Sequence, residues 1–166
     1  MKEMLCRGKQ KNSDSWVEGY YIFRRDRYKG DKTFISERHF ITTGIFETSG
    51  AYCETTKIEE FEVIPESISK FTGLTDKNGT KIFEGDILAY CDCYGVEHIE
   101  GFVEYGRFNC SCCEGVYGWY ISQGCDGFYG DIRSLDKEHY GENKCGLFVK
   151  GNIHDNPELL RGITEQ

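Results

Sequence analysis

Two tight turns only seven residues apart constrain the fold of this chain most. Asn78-Gly79 supplies residues that tolerate positive φ, and Asp76 can bond its own backbone two residues on. Glu84-Gly85-Asp86 forms the second turn and feeds the apolar run Ile87-Leu88-Ala89-Tyr90-Cys91. Such close spacing leaves room for short strands and none for a helix. The same punctuation recurs along the chain, with 20 glycines against 2 prolines, and the blocks between are rich in the 11 Tyr and 11 Phe. Aromatic and β-branched residues suit a pleated surface. An all-β or β-dominated globule is therefore expected.

Strands are predicted over 15–23, 39–47, 57–64, 87–93, 96–105, 116–122 and 146–151. Pro65, whose fixed φ suits a first helical position, predicts a one- to two-turn helix over Pro65-Glu66-Ser67-Ile68-Ser69-Lys70-Phe71. Asn156-Pro157 predicts a closing helical turn with Asn156 as its N-cap. No sequence repeat or low-complexity tract is evident, and residues 124–143 read as a glycine- and aspartate-rich loop. The strands after Gly85 are expected to close into a small SH3-like barrel, which removes exposed edges. The expected organisation is an N-terminal β-rich part, 1–70, packed on this C-terminal barrel, 71–166.

The net charge of -8 disfavours general binding to phosphate backbones. Residues 1–38 nevertheless hold ten Lys and Arg against six Asp and Glu, a net of +4 that leaves -12 on the remainder. Arg24, Arg25, Arg27 and Lys29 form the centre of that excess and are the candidate nucleic-acid contacts. The competing reading is a solvated hairpin end whose field Asp26 and Asp31 break up. No apolar run approaches the roughly 18 residues of a membrane span. The N-terminal Met1-Lys2-Glu3-Met4-Leu5 has no signal-peptide core, so a cytoplasmic protein is expected.

In that compartment the nine cysteines are expected to be reduced. Alternate residues of a strand share a face, so Cys91 and Cys93 pair on one side and Cys110 and Cys112 on another. If those pairs face each other, four thiolates suit tetrahedral zinc. The competing reading is core packing, since free cysteine behaves as a small apolar residue. A nucleophilic cysteine needs an electropositive setting, whereas Asp92, Glu97, Glu114 and Asp126 surround these. No P-loop, nucleophile elbow, zincin or dinucleotide motif is present, and no enzymatic activity is expected.

Phe71-Thr72-Gly73-Leu74-Thr75-Asp76-Lys77-Asn78-Gly79-Thr80-Lys81-Ile82-Phe83-Glu84-Gly85-Asp86-Ile87 resembles the central pattern of the YopX-like family. Val149-Lys150-Gly151-Asn152-Ile153-His154-Asp155-Asn156-Pro157-Glu158-Leu159-Leu160 is similar to its C-terminal signature, and Leu5-Cys6-Arg7-Gly8-Lys9 with Trp16-Val17-Glu18-Gly19-Tyr20 to its start. The resemblance implies a phage or prophage origin, a largely β fold and self-association. It implies no reaction. A non-enzymatic accessory protein is therefore expected, binding itself as a homo-oligomer or binding another phage or host protein. A nucleic-acid module and a structural zinc protein are the alternatives.

Overall fold

The computed structural model describes residues 4–27, 35–48, 54–110, 113–122, 130–131 and 146–161. It is all-β and divides into two compact units, Met1–Lys70 and Phe71–Gln166. Among the described residues no helix is long and apolar enough to cross a membrane.

The first unit is an antiparallel meander of β1 (Leu5–Lys9), β2 (Trp16–Arg27), β3 (Ile35–Thr48) and β4 (Glu54–Glu62). The start of β5 (Ser69–Thr75) adds to the other side of β1, giving the order β4-β3-β2-β1-β5. Alternation along β1 turns Cys6 and Gly8 inward, and Cys6 meets Val17, Ile41 and Val63 in the core. A Cβ added to Gly8 would stand 3.1 Å from Val63, so the glycine lets that side chain lie against the strand.

The helix expected at Pro65 shrinks to a 3₁₀ turn, Pro65–Ser67. Ile68 is already extended, at φ -68° and ψ 114°. Ser67 ends the turn because its hydroxyl donates to the Ile64 carbonyl (2.7 Å) and accepts from the Lys9 amide (2.8 Å). Ser69 then pairs with Arg7. Bonding to β1 outweighs a weak local helical preference.

The far half of β5 belongs to the second unit, where it pairs with β6 (Lys81–Phe83) across the Asn78-Gly79 turn. Asp76 builds that turn: its Oδ1 accepts the amides of Asn78 and Thr80, both at 2.8 Å, and Gly79 takes φ 82°. There follow β7 (Asp86–Cys91), β8 (Glu97–Cys110), β9 (Cys113–Ser122), β10 (Gly130–Asp131) and β11 (Phe148–Asn152). They form one antiparallel sheet ordered β10-β9-β8-β7-β11. That order is open, and no pairing among the described residues closes it into the expected SH3-like barrel. Ile82, Leu88, Val103, Ile121 and Leu147 form the core. Asp86, fully buried, accepts the Phe83 amide at 2.8 Å and holds the β6–β7 turn.

The segments that resemble the family pattern meet structurally within this unit. The second Asp76 oxygen accepts the Val149 amide at 3.0 Å, and the Ile153 amide donates to the Gly85 carbonyl at 2.9 Å. Pro157–Leu160 is a 3₁₀ turn with Asn156 at its N-cap position, yet the Asn156 side chain caps nothing. Its Oδ1 instead faces Gly151, where a Cβ would come within 2.4 Å. The glycine-rich loop expected over 124–143 lies outside the described residues apart from β10.

The two units repeat one plan. In each, a glycine pairs with the preceding strand and is followed by a residue opposite Thr or Ser of the next strand: Gly19 with Cys6 and Tyr20 with Thr42, then Gly101 with Leu88 and Phe102 with Ser122. The likeness is one of pairing register and not of sequence.

Candidate interaction surface

Strand register decides which side chains share a face. On β2 and β3, Tyr21 stands opposite Ile41 and Phe23 opposite His39, on the face that holds the first unit's core. Ile41 is sealed, whereas Tyr21 and Phe23 remain 39% and 43% exposed. The core face thus runs out into an uncovered aromatic strip. The Tyr21 hydroxyl and His39 Nδ1 share a hydrogen bond of 2.7 Å. The His39 ring stacks on Tyr21 (5.9 Å, 27°) and tilts against Phe23 (5.2 Å, 53°).

Beside this strip lies an open groove of about 710 Å³, lined by Met4, Cys6, Tyr21, His39, Ile68 and Lys70 among others. Cys6 forms its buried floor and Met4, 59% exposed, its lip. The lining is mostly apolar, with the Tyr21–His39 pair and the Lys70 ammonium as its polar groups. Such a site can hold an apolar side chain and orient polar groups around it. Of these residues the sequence points only to Tyr21, through the aromatic Tyr20-Tyr21 segment that could stack bases or anchor a protein partner. The others escape it because their signal is only parity: Tyr21 and Phe23 alternate with Ile22, and nothing local tells which face is covered.

Two of the four candidate nucleic-acid residues, Arg24 and Arg25, are committed to carboxylates. Arg24 Nη2 lies 2.5 Å from Glu60, Arg25 Nη2 2.6 Å from Glu37, and neighbouring Arg38 Nη2 2.6 Å from Asp26. Arg24 and Arg38 also cover the Phe40 ring, at 4.9 and 5.5 Å from its centroid. The hydrogen bond and charge of Asp26 raise the Arg38 pKa further above its ordinary value. Exposed pairs like these contribute little stability. They do cancel the cationic field on which a phosphate contact would rely. Arg27 pairs with Ile35 through the backbone only as far as described, and Lys29 lies outside the described residues.

The proposed four-thiolate centre is not assembled by the strands. Cys91 ends β7 opposite Glu97, the first residue of β8, whereas Cys110 ends the same β8 opposite Cys113. Fourteen residues of extended chain separate those ends, on the order of 40 Å. Cys93 does not share the strand with Cys91 either. It sits in the turn that Asp92 makes by accepting the Tyr94 and Val96 amides, both at 2.9 Å. His98 also bonds Asp92 at 3.0 Å, and these bonds, His98 first, hold the Asp92 carboxyl below its usual range. Cys112 lies outside the described residues, and among the described ones no cluster of three or more metal-ligating side chains occurs.

No curated protein matches the chain. The crystal structure of protein EF1440 from Enterococcus faecalis is similar, with a TM-score of 0.44 at 22% identity over 95% of this chain and 97% of that one. The family model described as YopX protein matches residues 7–161, nearly the whole length, and the chain belongs to the YopX family.

Proposed function

We propose that this protein works without catalysing a reaction, as a phage or prophage accessory protein that makes protein contacts in the host cytoplasm. The observation that carries the reading is the uncovered aromatic face of the first unit, where Tyr21, Phe23 and Met4 border an apolar groove. Exposed aromatic and methionine side chains rimmed by polar groups are the signature of contact surfaces. The partner is a second copy of the chain or another phage or host protein. A phage setting is what the family resemblance implies.

Light scattering at micromolar concentration, alone and with candidate partners, tests this. The expected result is a species heavier than the 19.1 kDa chain, reduced to monomer by Tyr21→Asp with Phe23→Asp. A wild-type monomer that forms no complex, or complexes indifferent to both substitutions, would defeat the reading. The nucleic-acid alternative has less behind it, given the Arg24–Glu60 and Arg25–Glu37 pairs. It requires binding that weakens with salt and with Arg24→Ala and Arg25→Ala.

A further inference from the structure

The repeated plan of the two units allows each residue of the groove to be compared with its counterpart. Pairing registers align β1 with β7, β2 with β8, β3 with β9 and β5 with β11. Gly19 and Gly101 correspond closely: a Cβ on either would stand 2.1 Å from a carbonyl oxygen, of Thr42 or Ser122, and 2.9 or 2.8 Å from Cγ2 of Ile41 or Ile121. Counting from there, Tyr21 opposite Ile41 matches Val103 opposite Ile121, and Phe23 opposite His39 matches Tyr105 opposite Trp119. Both latter pairs are ring contacts, at 5.2 and 5.0 Å. On the other flank, Lys70 opposite Cys6 matches Val149 opposite Leu88, which sets Ile68 in the place of Leu147.

The two faces differ in what covers them. In the second unit Val103 and Leu88 are fully buried, clustered with Ile82 of β6, and Leu74 of β5 packs against that cluster. β6 stands immediately ahead of β7 in the chain. In the first unit Tyr21, the counterpart of Val103, is 39% exposed, and Cys6 and Ile68, the counterparts of Leu88 and Leu147, line the open groove with it. The groove is therefore the position that Ile82 fills in the sister unit.

We infer that the first-unit groove is a socket for an extended segment of a partner protein, which inserts a branched aliphatic side chain as β6 inserts Ile82. The inference deepens the protein-contact reading and rests on it. Charge narrows the partner further. Lys70 and His39 replace Val149 and Trp119, so the rim offers an ammonium and an imidazole where the sister unit is apolar. An acidic residue close after the aliphatic one complements that rim. β6 itself carries this order, with Glu84 two residues beyond Ile82.

A capped synthetic peptide copying residues 79–84, Gly-Thr-Lys-Ile-Phe-Glu, is the probe. Titrated into the ¹⁵N-labelled full chain, it should shift the amides of Cys6, Tyr21, His39 and Lys70 saturably. A peptide with aspartate in place of the isoleucine should shift none of them, and Lys70→Glu in the protein should weaken binding about fivefold, the scale of one exposed charge contact. Silence at millimolar peptide, shifts confined to Phe71–Arg161, or equal binding of the aspartate peptide overturns the inference. Groove shifts that appear on concentrating the protein alone make a second copy the occupant and also overturn it. Failure here with the Tyr21- and Phe23-dependent complexes intact leaves the broader contact reading standing.

Discussion

Gly19 occupies a place where no side chain fits, and replacing it with alanine measures how tightly the first unit is built. The new Cβ would lie 2.1 Å from the Thr42 carbonyl oxygen, where carbon and oxygen normally stand roughly 3.3 Å apart. Neither backbone can yield alone, so β2 and β3 must part by about 1 Å at the Tyr20–Thr42 pair. Strain of this kind costs about 1–3 kcal/mol, and two lost ladder bonds about 1 kcal/mol each. Restricting the unfolded chain returns about 0.5–1 kcal/mol. The net expectation for Gly19→Ala is a loss of about 2–4 kcal/mol. Gly101→Ala should cost a similar amount, with the left-handed φ of 147° adding to it. Gly44, with nothing within 4 Å of its added Cβ and no positive φ, is the matched control. Urea unfolding reads each unit separately, because Trp16 lies in the first and Trp119 in the second. At a slope of about 2 kcal/mol per molar, the Gly19→Ala midpoint falls by about 1–2 M. A Gly19→Ala midpoint equal to that of Gly44→Ala would refute the close approach and the shared plan together.

Other substitutions probe different parts of the account. Asp76→Ala removes an acceptor from the Asn78, Thr80 and Val149 amides and should cost about 2–4 kcal/mol in the same unfolding assay. Asp76→Asn keeps the turn bonds but presents an NH₂ to the Val149 amide, so it should recover only part of that loss. Burial raises the Glu100 carboxyl pKa, so its ionised form is disfavoured in the folded state. The folded pKa exceeds the unfolded one, so the favourable contribution is full below the unfolded value and is lost as pH rises through the folded value. Glu100→Gln should therefore be more stable than wild type at neutral pH, and the advantage should vanish below the ordinary glutamate range. Metal content measured on protein purified without chelator should not change with Cys91→Ser and Cys93→Ser, because β8 separates them from Cys110. A loss of bound zinc in that pair would restore the thiolate centre.

Much of the scaffold is legible from local chemistry. The Asn78-Gly79 and Gly85-Asp86 turns and the strands around Tyr20, Ile41, Leu88, Val103 and Ile121 follow from turn residues and aromatic or β-branched blocks. Pro65 misleads because its helical preference is local, while the Ser67 and Ser69 bonds to β1 come from residues far away in the chain. The cysteines mislead for a related reason. Parity tells which residues share a face, but not which end of a long hairpin each pair occupies. Cys91 and Cys110 seem near only until β8 is seen to run its full length between them. The repeat is hidden because Val17-Glu18-Gly19-Tyr20-Tyr21 and Ile99-Glu100-Gly101-Phe102-Val103 share only Glu-Gly outright. The pairing register reveals it, and with it the groove as an unfilled counterpart of a filled core.

The most direct test puts a photo-crosslinking amino acid at position 21 in the full chain, inside cells that carry the partner. Tyr117, 70% exposed and in the other unit, serves as the control position. The account predicts a discrete protein adduct from position 21, absent from position 117 and suppressed by excess 79–84 peptide in lysate. No adduct at position 21, or one that the peptide does not suppress, contradicts it.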